Sequence, residues 1–137
     1  MTVRAITPAV GPRGPQPVAL FLQGVTPPSL NTFARAHWRK YDHAKKLWGQ
    51  RVTDALVTAD CPRGAWESVL AEGRVTFPDQ RKRDQGNYRF MIEKALGDAL
   101  VSYGAIPDDD WSRYEFGNLQ AQYVKGLKGI DLMLWPR

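Results

Sequence analysis

The fold is decided by residues 69–104, which read VLAEGRVTFPDQRKRDQGNYRFMIEKALGDALVSYG. Their first nine residues alternate apolar and polar side chains, which is the pattern of a strand with one buried face. From about Asn87 to Tyr103 the sequence predicts a helix, and Gly104 ends it because glycine readily adopts the left-handed conformation found after helices. A strongly basic loop, 78–86, joins the two. This stretch therefore predicts a strand and a helix separated by a loop rich in cations.

Two further elements are predicted ahead of this stretch. Val18–Leu22 is a continuous apolar run, which suits a buried strand. From Asp42 to about Ala59 apolar residues recur at spacings of three and four, so we expect a helix with one buried face and Asp42 as its N-cap. Residues 1–17 contain four prolines and no helical or strand period. They predict a flexible tail before a domain that spans residues 18–137.

Two strands are predicted after it. Residues 113–123 alternate, with a slip at Gly117–Asn118 that indicates a β-bulge. Residues 130–135 alternate without a slip, and the glycine- and lysine-rich turn ahead of them favours a hairpin of the last two strands. The order β-α-β-α-β-β predicts a single α+β domain with two helices and a mixed, mostly antiparallel sheet.

Composition excludes several classes of protein. The 137 residues carry a net charge of +5, and such a balance favours an acidic partner, most commonly nucleic acid. The single cysteine, Cys61, excludes an intramolecular disulfide and a cysteine-based zinc cluster. No run approaches the roughly 18–20 apolar residues of a membrane span. The first residues also lack the apolar core of a signal peptide, so we expect a cytoplasmic protein with no membrane partner.

The densest group of chemically capable residues comprises the basic loop, the helix after it and the acidic turn Asp108–Asp110. Asn87, Lys94 and Asp98 fall within roughly 40° of one another on a helix. Spacing alone favours a solvent-exposed stripe with a weak Lys94–Asp98 pair, and a turn role for at least one of the three aspartates. The same residue types also suit phosphodiester cleavage, since carboxylates hold Mg²⁺, lysine stabilises developing charge and arginines hold phosphates.

Three blocks of sequence resemble, in their order, the RusA family of Holliday junction resolvases. The blocks are PPSLN at 27–31, RKRDQGN at 81–87, and KALGDAL at 94–100 followed by Gly104 and Asp108–Asp109. The resemblance implies a homodimer that binds four-way DNA junctions and resolves them by paired symmetric nicks in recombination and repair. It further implies Mg²⁺ as cofactor, with Mn²⁺ as a substitute, and a bacterial, phage or prophage gene.

The resemblance also implies roles for individual residues. Asp84, Lys94 and Asp109 would be catalytic, and Asp84, Asp108 and Asp109 would be the metal-ligating acids. The residues expected to contact DNA are Arg81, Lys82, Arg83 and Asn87, together with Arg35, Trp38, Arg39 and Lys40 of a second basic and aromatic segment. Trp38 either stacks on bases opened at the crossover or anchors its loop to the core. The tryptophans at 48, 66, 111 and 135 are expected to pack in the core or the hairpin.

The chain departs from the family pattern at two points. Gly86 stands where the family has a second acid, and the stretch from Asn87 to Lys94 is about four residues longer, roughly one helical turn. Glu93 is the nearest substitute acid, but it lies about 100° from Lys94 around the helix. These departures leave a second hypothesis, a catalytically weakened dimer that binds junctions. A third hypothesis is a basic interaction module with no DNA role, because charge runs are usually solvent-exposed surfaces.

One geometric question stays open in the sequence. A helix of about 17 residues is some 25 Å long, so Asp84 and the Asp108 turn start at opposite ends of it. Either residues 104–110 fold back along the helix, or a partner subunit completes the site.

Overall fold

The computed structural model describes residues 16–28 and 38–137, without the side chains of Trp38 and Tyr41. The elements in these residues are β1 (Val18–Gln23), α1 (Trp38–Thr58), β2 (Val69–Phe77), α2 (Gln85–Tyr103), β3 (Tyr114–Tyr123) and β4 (Gly129–Pro136). The order is the predicted one, which confirms an α+β domain with two helices in the described residues. Neither of these helices is long and apolar enough to cross a membrane. The predicted tail lies almost entirely outside the described residues.

The four strands form one mixed sheet in the order β1-β4-β2-β3. β4 pairs antiparallel with both β1 and β2, whereas β3 pairs parallel with β2, so the mostly antiparallel sheet is confirmed. The predicted hairpin of the last two strands is wrong, because β2 lies between β3 and β4. β4 takes a central position, where Ile130, Leu132 and Leu134 are all buried. β3, whose outward residues are polar, takes the edge of the sheet, where such a strand is tolerated.

The slip in the third strand is a β-bulge, as predicted. The pairing of β2 with β3 passes from Ala71 opposite Phe116 to Gly73 opposite Leu119. Two residues of β3 therefore lie opposite Glu72, which is the arrangement of a bulge.

Both helices pack on one face of the sheet. The sheet and both helices all contribute to the core between them. The largest fully buried side chains are Leu20, Val52, Leu56, Val69, Val75, Ile92, Leu96, Leu100, Ile130 and Leu134. The Trp48 indole joins the two helices by donating to the Met91 carbonyl at 2.9 Å. No helix of the described residues covers the opposite face, where Phe21 is 63% and Trp135 is 42% exposed.

A row of three hydrogen bonds joins α2 to β3. The bonds run from Gln85 Nε2 to the Leu119 carbonyl (2.9 Å), from Arg89 Nη2 to the Phe116 carbonyl (2.7 Å) and from the Tyr114 hydroxyl to the Glu93 carbonyl (2.7 Å). The helical partners are four residues apart, so they share one side of α2. The row fixes the rotation of the helix relative to the edge strand.

The helix ends differ from the predicted ones at two places. α1 begins at Trp38, so Asp42 lies inside the helix and pairs with Lys46 at 3.1 Å instead of capping it. α2 begins at Gln85, two residues early, because Asp84 caps it. Its predicted end is confirmed, since Gly104 adopts a left-handed conformation and its N–H bonds the Leu100 and Val101 carbonyls.

The central position of β4 gives a stability prediction. Leu134 is fully buried, so the substitution Leu134→Ala is expected to lower the free energy of unfolding by about 2–5 kcal/mol in urea denaturation. Leu127→Ala is the matched control, because Leu127 is 60% exposed. Its effect is expected to stay within about 0.5 kcal/mol. Equal effects of the two substitutions would contradict the central placement of β4.

Candidate functional site

The Asp109 carboxylate approaches α2 within one turn of Lys94, which is a residue of this helix. Lys94 Nζ lies 3.2 Å from Asp98 Oδ1, and both side chains are about half exposed. Asp109 Oδ2 lies 3.3 Å from the position that a Cβ atom on Gly97 would occupy. Gly97 is within about 60° of Lys94 around the helix. The Asp109 carboxylate therefore reaches α2 from the side that faces β3, next to the exposed face of the helix that carries Lys94 and Asp98.

The chain between α2 and β3 folds back along the helix to place Asp109. The Asp110 carbonyl accepts hydrogen bonds from the N–H groups of Arg113 (3.0 Å) and Tyr114 (2.9 Å), which close a turn. The Tyr114 ring then rests on the helix at Gly97, where an added Cβ atom would lie only 2.9 Å from Tyr114 Cε2. Residues 104–110 therefore fold back along α2 as far as Gly97, which is not far enough to bring the acidic turn to Asp84.

Asp84 lies apart from these residues. It is the N-cap of α2, where its carboxylate accepts from the Gly86 N–H at 3.0 Å. Ten residues separate it from Lys94, which is about 15 Å along the helix axis. Thirteen residues, about 20 Å, separate it from Gly97 and the Asp109 carboxylate beside it. One chain therefore does not bring Asp84 together with Lys94 and Asp109.

Acidic groups surround the Tyr114 hydroxyl. Burial raises the pKa of Tyr114 far above its ordinary value, and the carboxylates of Glu93, Asp109 and Asp98 raise this pKa further. Tyr114 therefore remains a neutral hydrogen-bond donor and is no base. Even so, no three histidine, cysteine, aspartate or glutamate side chains of the described residues lie close enough together to hold a metal ion.

The other two aspartates of the acidic turn have structural roles. Asp108 Oδ1 accepts from the Asp109 N–H at 2.8 Å. Asp110 accepts from the side chain and the N–H of Ser112, and these hydrogen bonds lower its pKa. Asp109 is the member of the three whose carboxylate points at α2. The substitute acid Glu93 faces Arg89, with Oε1 3.5 Å from the guanidinium Nε.

The basic residues predicted to contact DNA differ in their surroundings. Arg81 and Lys82 are exposed, and Asn87 is partly buried in the first turn of α2. Arg83 is engaged within the fold, since it pairs with Asp79 at 2.9 Å and stacks 4.0 Å from the Phe77 ring centre. Arg39 and Lys40 are exposed in the first turn of α1. Arg35 lies outside the described residues, and so does the side chain of Trp38.

A groove of about 260 Å³ runs between α1 and α2 beside the Lys94–Asp98 pair. Lys45 and Lys94 supply its cations, while Trp48 and Phe90 supply aromatic surface. Lys94 therefore lies between this groove and the Asp109 turn. Both positive charges are placed where an anionic ligand along α2 can reach them.

The sequence did not predict the surroundings of three residues in this region. Gly97 and Tyr114 form the close contact, and the available signal was a glycine within a helix, which often marks a close approach. Trp111, expected to pack in the core or the hairpin, is instead 90% exposed. That expectation is confirmed for Trp48 and Trp66, which are buried. Trp135 is half-exposed on the sheet face that no described helix covers, and its indole N–H donates a hydrogen bond to Glu72 Oε1 at 3.1 Å.

Comparison with known proteins adds no family. No protein-family model matches this chain. No curated protein matches it either.

The contact at Gly97 gives a prediction with an internal control. Gly97→Ala is expected to destabilise the protein, because the clash with the hydrogen-bonded Tyr114 ring, about 1–3 kcal/mol, exceeds the helix preference for alanine of about 1 kcal/mol. Gly49→Ala in α1 meets nothing within 4 Å and is expected to stabilise by about 0.5–1 kcal/mol. Thermal or urea unfolding measures both. A stabilising Gly97→Ala would show that Tyr114 does not pack there.

The cap at Asp84 gives a second prediction. Asp84→Ala is expected to lower the free energy of unfolding by about 0.5–2 kcal/mol, because the first turn of α2 loses its acceptor. Asp84→Asn is expected to change it little, since asparagine caps helices about as well as aspartate. Chemical denaturation of both variants measures the difference. Equal losses for the two would mean that charge, and not capping, is what Asp84 contributes to stability.

Proposed function

We propose that this chain is a RusA-like, Mg²⁺-dependent endonuclease that resolves four-way DNA junctions by paired nicks. The observation that carries the proposal is the approach of the Asp109 carboxylate to α2 at Gly97, about one turn beyond Lys94, because the resemblance names both Lys94 and Asp109 as catalytic. The proposal includes a homodimer, because two strands of a junction must be cut symmetrically, and a bacterial cytoplasm as the place of action.

The chemistry of the pair supports hydrolysis of a phosphodiester. Attack on phosphorus increases negative charge on the phosphoryl oxygens, and a positioned ammonium group stabilises that charge. Lys94 is half exposed and held at 3.2 Å from Asp98, so its ammonium group is oriented and still accessible to DNA. Bound Mg²⁺ would activate water and stabilise the leaving oxygen.

The ligand set of the metal differs from the one that the resemblance implies. Asp84 and Asp109 cannot share one ion within a chain, because they lie about 20 Å apart along α2. Mg²⁺ is often held by one or two carboxylates together with substrate phosphates. Asp109 is the carboxylate best placed for that arrangement, and the remaining ligands would come from DNA or from a partner subunit.

The charge distribution supports a nucleic-acid substrate. The chain carries a net charge of +5, and Arg81 and Lys82 are exposed just ahead of α2. Lys45 and Lys94 continue the positive charge beside the groove. Binding through such contacts releases counterions, so the affinity for DNA should fall steeply with salt.

Cleavage of a synthetic four-way junction tests the proposal. The protein is expected to make paired nicks that require Mg²⁺ and stop in EDTA, with a linear duplex as the comparison substrate. Asp109→Asn and Lys94→Met are each expected to reduce the rate by about 100-fold or more, as for loss of other charge-stabilising groups. Lys125→Met is the control, because Lys125 is an exposed lysine of the β3–β4 turn. No nicks, in an assay where a known resolvase is active, would reject the proposal.

A non-catalytic junction-binding dimer is the second candidate. It is favoured by the remote position of Asp84 and by Gly86, which has no carboxylate. Junction binding without nicks, unchanged by Asp84→Asn, would support it. If Asp84→Asn instead abolishes cleavage, mixing this variant with Asp109→Asn distinguishes the two arrangements of the site. Recovered activity in the mixture would mean that Asp84 acts across the dimer.

A further inference from the structure

Trp111 has the most exposed large apolar side chain among the described residues, at 90%. An indole offers a large apolar surface that is normally buried, and aromatic residues are enriched where proteins contact partners. Trp111 follows Asp109 by two residues, so the two Cα atoms are at most about 7 Å apart. The exposed ring is thus carried by the same turn as the carboxylate that the proposed function uses.

The backbone that carries Trp111 is held firmly in place. The N–H groups of Arg113 and Tyr114 bond the Asp110 carbonyl, and the Asp110 carboxylate bonds Ser112. The Tyr114 ring anchors the end of this turn against Gly97. The turn therefore fixes the backbone from which the indole projects, so that only side-chain freedom is lost when the ring stacks on a ligand.

A second exposed aromatic side chain, Phe90, lies on α2 itself, one turn before Lys94. Phe90 is 46% exposed and precedes Lys94 by four residues, so the two side chains share one face of α2. Gly97 follows Phe90 by seven residues and lies within about 20° of it around the helix. Aromatic surface is thus available both along the helix and on the acidic turn that flanks it.

Local charge restricts what Trp111 can contact. Three aspartates, 108–110, precede it directly, and they repel the phosphate groups of DNA. The face of a nucleobase is uncharged and stacks well on indole. A continuous duplex hides these faces between base pairs, whereas a branch point interrupts the stack. The Trp111 ring is therefore better suited to contact an exposed base at a junction than the phosphate backbone of DNA.

From these observations, and resting on the proposed function, we propose that Trp111 stacks on a nucleobase at the branch point and so holds the strand beside Lys94 and Asp109. The interaction is selective for structure rather than sequence, since every base has a face on which an indole can stack. It gives the turn a role in choosing branched DNA, separate from the role of Asp109.

Binding to a four-way junction in EDTA, where no cleavage occurs, tests the role of Trp111. Trp111→Ala is expected to weaken junction binding about tenfold or more, whereas Trp111→Phe retains a ring and most of the affinity. Binding to a linear duplex is expected to be the same for both. Trp135→Ala is the matched control, because Trp135 is an exposed indole on the opposite face of the sheet. Unchanged junction affinity in Trp111→Ala would overturn the inference.

A fluorescent base provides the direct readout of stacking. With 2-aminopurine at the branch point, the wild-type protein is expected to quench the fluorescence on binding, and Trp111→Ala is not. The same probe within one arm is expected to show no difference. A change of oligomeric state in Trp111→Ala on gel filtration would overturn the inference in favour of a contact between copies. Wild-type protein that binds no junction would overturn the proposed function as well, whereas junction binding and cleavage that survive in Trp111→Ala would overturn only the stacking.

Discussion

The row of hydrogen bonds between α2 and the edge strand β3 is the constraint on which the site depends. Its bonds start at Gln85 and end at Glu93, and they fix which side of the helix faces the sheet edge. Gly97 continues that side by one more turn, and there the Tyr114 ring replaces the missing side chain. With the helix fixed in this rotation, Lys94 faces solvent. The turn before β3 then places the Asp109 carboxylate against the helix at Gly97.

The same constraint explains why the acidic residues separate into two groups. A straight helix cannot bring its first residue to its middle, so the Asp84 carboxylate stays with the backbone N–H groups that it caps. Asp109 reaches α2 from the other direction, through a loop. A site that needed both would require either a second chain or a substrate long enough to span them.

Local patterns in the sequence predicted local structure well. The alternation of β2 and β4, the bulge at Gly117–Asn118 and the end of α2 at Gly104 all follow from short-range sterics and side-chain period. The order of strands did not follow, because alternation says which face of a strand is buried and nothing about its neighbour. β4 pairs with β1 and β2 rather than with β3, which precedes it in the chain. The start of α1 was missed because Asp42 suits a cap and a helical ion pair equally.

The sequence predicted a set of candidate site residues, but not which of them lie close together in the fold. Lys94 and Asp109 could be named because their residue types and order resemble a family pattern. Their approach at Gly97 depends on a tertiary contact with Tyr114, which no spacing along the chain encodes. Trp111 was expected to pack in the core or the hairpin, and the structure leaves it in solvent. Large apolar residues are buried as a rule, so an exception of this kind is visible only in three dimensions.

The pairing of β1 with β4 has a consequence for how the chain acquires its fold. The two strands are more than 100 residues apart in the sequence, from Val18–Gln23 to Gly129–Pro136, and β4 is also the partner of β2. Contacts of such long range are slow to form, because a long loop must close before any of them is made. During synthesis β1, and the edge of β2 that faces β4, therefore stay unpaired until β4 has been made. The complete sheet forms late, and until then the unpaired strand edges are the part of the chain most prone to aggregation.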